Sequence, residues 1–225
     1  MGGLIQFMPN VMGIYLYGSY ARGEETKSSD IDILIIVEEK DEKIKKVMEE
    51  EYSLDVRIVT LNSLKKSLTT LPLLILPVLK ESKVWLNPLL LEELKKHKVD
   101  FNKFKWNFDE IKRTIKIIEG FINLDDEMSS SHIYSLMMRV RLCYIIECLL
   151  KEKNFSNAGV KNLLIKNGFE SQIVDRFFKI YRGVREENES DERVTKEEIV
   201  KLLYFLKGYS HIQENESKKK NKKRN

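Results

Sequence analysis

Two short stretches of this chain carry residue types that could do chemistry. Gly18-Ser19-Tyr20-Ala21-Arg22-Gly23 combines a small-residue turn, a hydroxyl and an arginine, and Ser29-Asp30-Ile31-Asp32-Ile33-Leu34 places two carboxylates two residues apart. The carboxylates enter an apolar, β-branched run, Ile31 to Val37, which predicts a strand from Asp30 to Val37. Successive strand side chains point to opposite faces, so Asp30 and Asp32 share one face and Ile31 and Ile33 turn to the core. Carboxylates held together repel unless a cation neutralises them. Hard oxygen ligands on a short strand suit Mg2+, which characteristically takes one or two carboxylates plus substrate phosphates. Upstream, Gly18 lets the backbone approach a ligand closely, and the Ser19 hydroxyl with nearby N–H groups can hold phosphate oxygens. Together these parts describe a site for a nucleoside triphosphate. The plainer account, two solvent-facing aspartates on an edge strand, leaves unexplained why a residue type depleted in strands occurs twice on one face.

Such residues need elements to position them. Val11 to Tyr17 reads as a first strand ending at Gly18. A short helix after Ser19 would aim its first amides at phosphate. The charged stretch Glu38 to Glu51, with Ile44, Val47 and Met48 at helical spacing, predicts a surface helix. Ser53 to Thr60 predicts a third strand and carries a further carboxylate, Asp55. Thr60 or Asn62 would cap the next helix. Leu68 to Leu79, interrupted by Pro72 and Pro77, predicts a short helix against the sheet, and Lys83 to Asn87 a last strand ended by Pro88. The first domain, residues 1–90, is thus expected to be a small mixed sheet. From Leu89 onward strand signals vanish. Phe104 to Phe121, Ser129 to Lys151, Asn157 to Ile165, Ser171 to Arg185 and Thr195 to Ile212 show helical periodicity broken by turn residues. Thr195 with Glu198 three residues later matches a capping box. The expected fold class is therefore α+β: a small mixed-sheet domain followed by an all-α helical bundle over residues 91–214, then a disordered basic tail, 215–225.

Composition narrows the function. A 225-residue chain with 42% hydrophobic residues is long enough for a real core. No apolar run approaches a membrane span, and the N-terminus lacks the features of a signal peptide, so a cytoplasmic protein is expected. Cys143 and Cys148, five apart on one predicted helix, fall on different faces, which argues against a disulfide or a zinc site. Net charge is +4, but Lys218, Lys219, Lys220, Lys222, Lys223 and Arg224 crowd the tail. The body is left slightly acidic, without the imbalance of a nucleic-acid binder. Weak nucleic-acid contact through the tail and simple solvation both remain open.

The pattern Gly18-Ser19, ten residues, then Asp30-x-Asp32 resembles the nucleotidyltransferase signature of the DNA polymerase β superfamily. Tyr20-Ala21-Arg22-Gly23-Glu24 and Ser29-Asp30-Ile31-Asp32 look most like its minimal nucleotidyltransferases and kanamycin nucleotidyltransferase-like members. The resemblance covers about residues 1–90, and the two-domain layout with a helical second half is similar to those larger relatives. It implies that Asp30 and Asp32 hold Mg2+, with a second ion sharing Asp55. It implies too that Gly18, Ser19 and Arg22 bind the nucleotide phosphates. Asp55, the acidic residue of the next strand, would be a metal ligand or general base, although pairing with Arg57 is the simpler alternative. The implied reaction transfers a nucleoside monophosphate, AMP from ATP, to a hydroxyl of a small molecule or protein, releasing pyrophosphate in a two-metal arrangement.

The bundle resembles HEPN domains in layout only. His97, His132 and His211 do not follow an arginine at the spacing of the HEPN ribonuclease signature, which argues against that activity. Arg139, Arg141 and Glu147, in an otherwise apolar helix, and Arg182 could line a cleft or simply sit at helix edges with solvated heads. Two other readings stay open: a non-catalytic nucleotide-binding or antitoxin-like interaction module, and an RNA 3'-end nucleotidyltransferase. Oligomeric state is left open, with a homodimer allowed.

Overall fold

Strand alternation and two glycines shape the first half of the chain. In the computed structural model the described residues are 7–27, 29–52, 54–124, 129–185 and 192–222. The chain divides into two units, Met1–Asp100 and Phe101–Asn225. In the first, the order is β1 (Val11–Tyr17), α1 (Gly18–Arg22), β2 (Asp32–Val37), α2 (Glu42–Tyr52) and β3 (Asp55–Thr60). It continues with α3 (Leu61–Thr70), α4 (Pro72–Glu81), β4 (Lys83–Leu86) and α5 (Pro88–Lys95). The strands form one mixed sheet in the order β3-β2-β1-β4. β1 runs antiparallel to β2 and β4, whereas β2 and β3 are parallel, joined through α2 as parallel strands require.

β2 is buried on both faces. Ile33, Ile35 and Val37 pack with Val11, Ile14 and Val56, and α2 closes this core with Ile44 and Met48. Leu34 and Ile36 are also buried, as is Tyr15 beside them on β1. Helices α4 and α5 contact β1, and α3 contacts β3, bringing Leu68, Leu76, Leu79 and Leu91 out of water. Each such side chain contributes about 1.5–3 kcal/mol of burial free energy. Because β1 and β4 are antiparallel and β2 and β3 parallel, one end of the sheet collects the end of β1 and the starts of β2, β3 and β4. That end is where the polar residues gather.

The observed bounds differ from expectation in informative ways. β2 begins at Asp32, so Asp30 and Ile31 precede the strand, although Asp55 N–H still donates to Ile31 C=O at 3.1 Å and extends the ladder. β3 begins at Asp55; Ser53, its expected start, lies outside the described residues. The boundary between the two helices over residues 61–81 falls at Leu71 rather than near Leu68, with Thr60 accepting the Ser63 N–H as the cap of the first. α5 lies where the sequence pattern predicts only the end of a strand at Pro88. Proline is equally suited to the first turn of a helix, and the Asn87 side chain caps it by accepting the Leu90 N–H at 3.1 Å.

The second unit is helical among its described residues: a short 3-10 turn, Phe101–Phe104, then α6 (Lys105–Asn123), α7 (Ser130–Leu150), α8 (Asn157–Lys166), α9 (Ser171–Arg185) and α10 (Lys196–Lys222). α10 packs on α6 and α7, and α9 on α7 and α8. The expected capping box is present: Thr195 and Glu198 exchange backbone-to-side-chain bonds at 3.0 and 3.2 Å. His132 plays the corresponding part at Ser129, accepting its N–H through Nδ1 at 3.1 Å. The expected disordered tail is corrected: α10 is helical to Lys222, and Lys223 and Arg224 lie outside the described residues. Tyr209, Gln213 and Ser217, spaced four apart, are buried on one face of it. Asn221 Oδ1 accepts the Phe101 N–H at 3.1 Å, and Lys220 bonds the Leu150 carbonyl. Lys218 and Lys219 pair with Glu214 and Glu216 rather than standing as a naked basic run.

Candidate active site

Gly18 is the hinge of the site. It has φ +73°, a left-handed conformation that favours glycine, and a Cβ added there would lie 1.9 Å from Asp32 Oδ2. The carboxylate of Asp32 therefore rests directly against the Gly18 backbone. Any larger residue at 18 would displace it. Gly18 opens the five-residue helix α1, which is capped at its far end by Gly23, also left-handed at φ 67°. Ser19 stands in the first turn of this helix, partly exposed, next to Gly18.

Register brings the carboxylates together. Asp32 is the direct partner of Tyr17 across the antiparallel pair and of Asp55 across the parallel pair. Paired residues share a face, so Tyr17, Asp32 and Asp55 line one side of the sheet end, opposite to buried Ile33 and Val56. Asp55 is exposed, as is Asp30, which lies two residues before β2. Tyr17 reports the field they create. Its hydroxyl pKa is raised, first by burial and then by Asp32, with Asp55 and Glu81 adding and Arg57 opposing. Among the described residues, no three His, Cys, Asp or Glu side chains are grouped so as to hold a metal ion by themselves.

Arg22 is held by carboxylates. Its Nη1 donates to Glu81 Oε2 at 2.8 Å and its Nε to Glu24 Oε2 at 2.9 Å. Burial works against the guanidinium charge, but Glu81 and Glu24 outweigh it and raise the Arg22 pKa. Glu81 also accepts the Gly18 N–H through Oε1 at 2.9 Å. Neither Glu81 nor Tyr17 stood out in the sequence. Glu81 ends an apolar helix far along the chain, and the signal that could have found it is a lone acid at the helix end preceding β4.

The model of the nucleotidyltransferase domain family matches residues 4–121, about half of the chain. The chain belongs to the nucleotidyltransferase domain family. The match spans the whole sheet and the turn at Gly18 and continues into α6. As a nucleotidyltransferase it is an enzyme, and its mixed sheet followed by helices agrees with the polymerase β-like resemblance. No curated protein matches. Among solved structures, the chain is similar to spectinomycin adenyltransferase AAD(9) from Enterococcus faecialis, solved with ATP and spectinomycin. The TM-score is 0.50 at 14% identity, covering 93% of this chain and 96% of that one. Identity that low speaks for a shared fold.

The charged residues singled out in the bundle are engaged within their own unit. Arg139 pairs with Glu110 and reaches Ser135. Arg141 bonds Asn157 and lies over the rings of Tyr181 and Phe155 at 4.7 and 5.1 Å. Glu147 accepts from Lys151 at 2.7 Å, Tyr209 at 2.6 Å and Gln213 at 3.3 Å. Arg182 is exposed near the end of α9. Cys143 and Cys148 are buried free thiols. No helix among the described residues is long and apolar enough to cross a membrane.

Proposed function

We propose that this nucleotidyltransferase moves AMP from ATP to a hydroxyl of a small-molecule acceptor and releases pyrophosphate. The observation that carries the reading is the juxtaposition of Gly18, Asp32 and Asp55 at one end of the sheet. Gly18 lets the backbone approach closely, the Ser19 hydroxyl takes oxygens of the β- and γ-phosphates, and Arg22, held by Glu81 and Glu24, lies beside them. Asp32 and Asp55, with Asp30 just ahead of the strand, supply carboxylate oxygens of the kind Mg2+ prefers. A pair of carboxylates suits an ion that completes its shell with substrate phosphates and water. Bound there, Mg2+ would neutralise phosphate charge and polarise the α-phosphorus. The acceptor oxygen forms a bond to the α-phosphorus as the bond to the bridging oxygen of pyrophosphate breaks. Asp55, exposed at the strand start, takes the acceptor proton as general base.

The choice of ATP and of a small acceptor is supported by the solved spectinomycin adenyltransferase, whose crystal structure holds ATP and spectinomycin and which matches this chain along nearly its full length. The test is to incubate the protein and Mg2+ with each α-labelled nucleoside triphosphate and a panel of hydroxylated small molecules, aminocyclitols and aminoglycosides included. Label from ATP on one of them, with pyrophosphate formed in equal amount, is the expected result. Label appearing only on protein in added extract would move the acceptor to the protein class.

A further inference from the structure

We infer that Glu81, the last residue of α4, is a positioning residue that fixes the Gly18–Arg22 turn against Asp32 for polyphosphate recognition. The inference rests on the nucleotide-binding role proposed above for that turn. One Glu81 oxygen accepts the Gly18 N–H at 2.9 Å and the other accepts Arg22 Nη1 at 2.8 Å. A single carboxylate thus ties the first backbone amide of α1 to its last side chain. Gly18 is held from a second direction by Asp32, whose Oδ2 fills the space a Cβ would take. Gly18 therefore sits between two carboxylates, one from the neighbouring strand and one from the helix that leads into β4. The Glu81 side chain is only 8% exposed and that of Arg22 16%, so the pair is screened far less than a surface ion pair. Misplacement of a binding turn by about an ångström is enough to cost affinity or rate.

Electrostatics gives the test its sign. Removing a negative charge beside a polyanion site would, by field alone, strengthen polyanion binding. A positioning role predicts the opposite. Binding of the four nucleoside triphosphates and of inorganic triphosphate, each with Mg2+, is measured by titration calorimetry for the wild type, Glu81→Gln and Glu81→Asp, with a melting curve for each protein. Glu81→Gln is expected to weaken binding of nucleotide and inorganic triphosphate alike by about ten- to a hundredfold, the loss expected for one or two charge-assisted hydrogen bonds. Glu81→Asp keeps the charge but is one methylene short, and recovers part of the affinity. Should Glu81→Gln melt below the working temperature, Glu81→Asp decides, with an intermediate loss expected. Equal or tighter binding by a folded variant overturns the positioning role while leaving the nucleotide site intact. A folded wild type that binds none of these ligands overturns the nucleotide site and this inference with it.

Discussion

Gly18 carries two demands at once, a left-handed backbone and an empty space under the Asp32 carboxylate. We expect Gly18→Ala to destabilise the protein by about 1–3 kcal/mol, since strain at a special φ and overpacking both apply. Its nucleotide binding should fall further than a neutral core substitution of equal stability cost, and denaturant titration beside calorimetry separates the two effects. Equal loss of binding in both variants would show that Gly18 matters only for stability. Glu147 makes a different kind of prediction. Burial would raise its pKa, but the hydrogen bonds from Lys151 and Tyr209 hold it below the ordinary 4.5. A depressed folded-state value means the stabilisation is fully present above the unfolded pKa and drains away as pH falls through the folded one. Glu147→Gln keeps an acceptor for Tyr209 but removes the titration. Its urea midpoint should therefore change less than the wild type's as pH is lowered from neutrality to below 4.5. Parallel midpoint curves for the two proteins would contradict this.

At the scale of elements, the parts that announced themselves were those with local chemistry. The alternation of β1, the Gly-Ser turn and the Thr195–Glu198 box are written in adjacent residues, and each formed where its pattern placed it. The meeting of Asp32 with Asp55 was half legible: both were named, but their pairing depends on a parallel register set through α2. Glu81 was not legible, because its partners lie 59 and 63 residues away and nothing local marks it. The last turns of α10 were missed for another reason. Their buried face is Gln213 and Ser217, polar residues that a search for apolar periodicity passes over. Truncation after Asn215 should therefore lower the melting temperature, since it removes buried Ser217 and the bonds from Lys220 and to Asn221. An unchanged melting curve would restore the view of this segment as a dispensable tail. Thr195→Ala, which removes one half of the cap, should cost about 0.5–2 kcal/mol by denaturant titration.

For the whole molecule, every residue assigned to the nucleotide site belongs to the first unit, and the sheet end there collects them from α1, β2, β3 and the residues just ahead of β2. In the helical unit, Glu110–Arg139, Arg176–Glu198 and the Glu147 network join its helices. Asp55 is exposed and Asp32 is only partly buried, so substitutions at Asp32 and Asp55 should abolish turnover with little change in melting temperature. The most direct measurement is transfer of label from α-labelled ATP, with pyrophosphate release followed in parallel, for the wild type and for Asp32→Asn and Asp55→Asn in the presence of Mg2+ and a hydroxylated acceptor panel. Labelled acceptor and stoichiometric pyrophosphate are expected from the wild type, with a loss of about a hundredfold or more in either folded variant. Undiminished transfer by folded Asp32→Asn, or no pyrophosphate from the wild type with any nucleoside triphosphate, would contradict the proposed reaction.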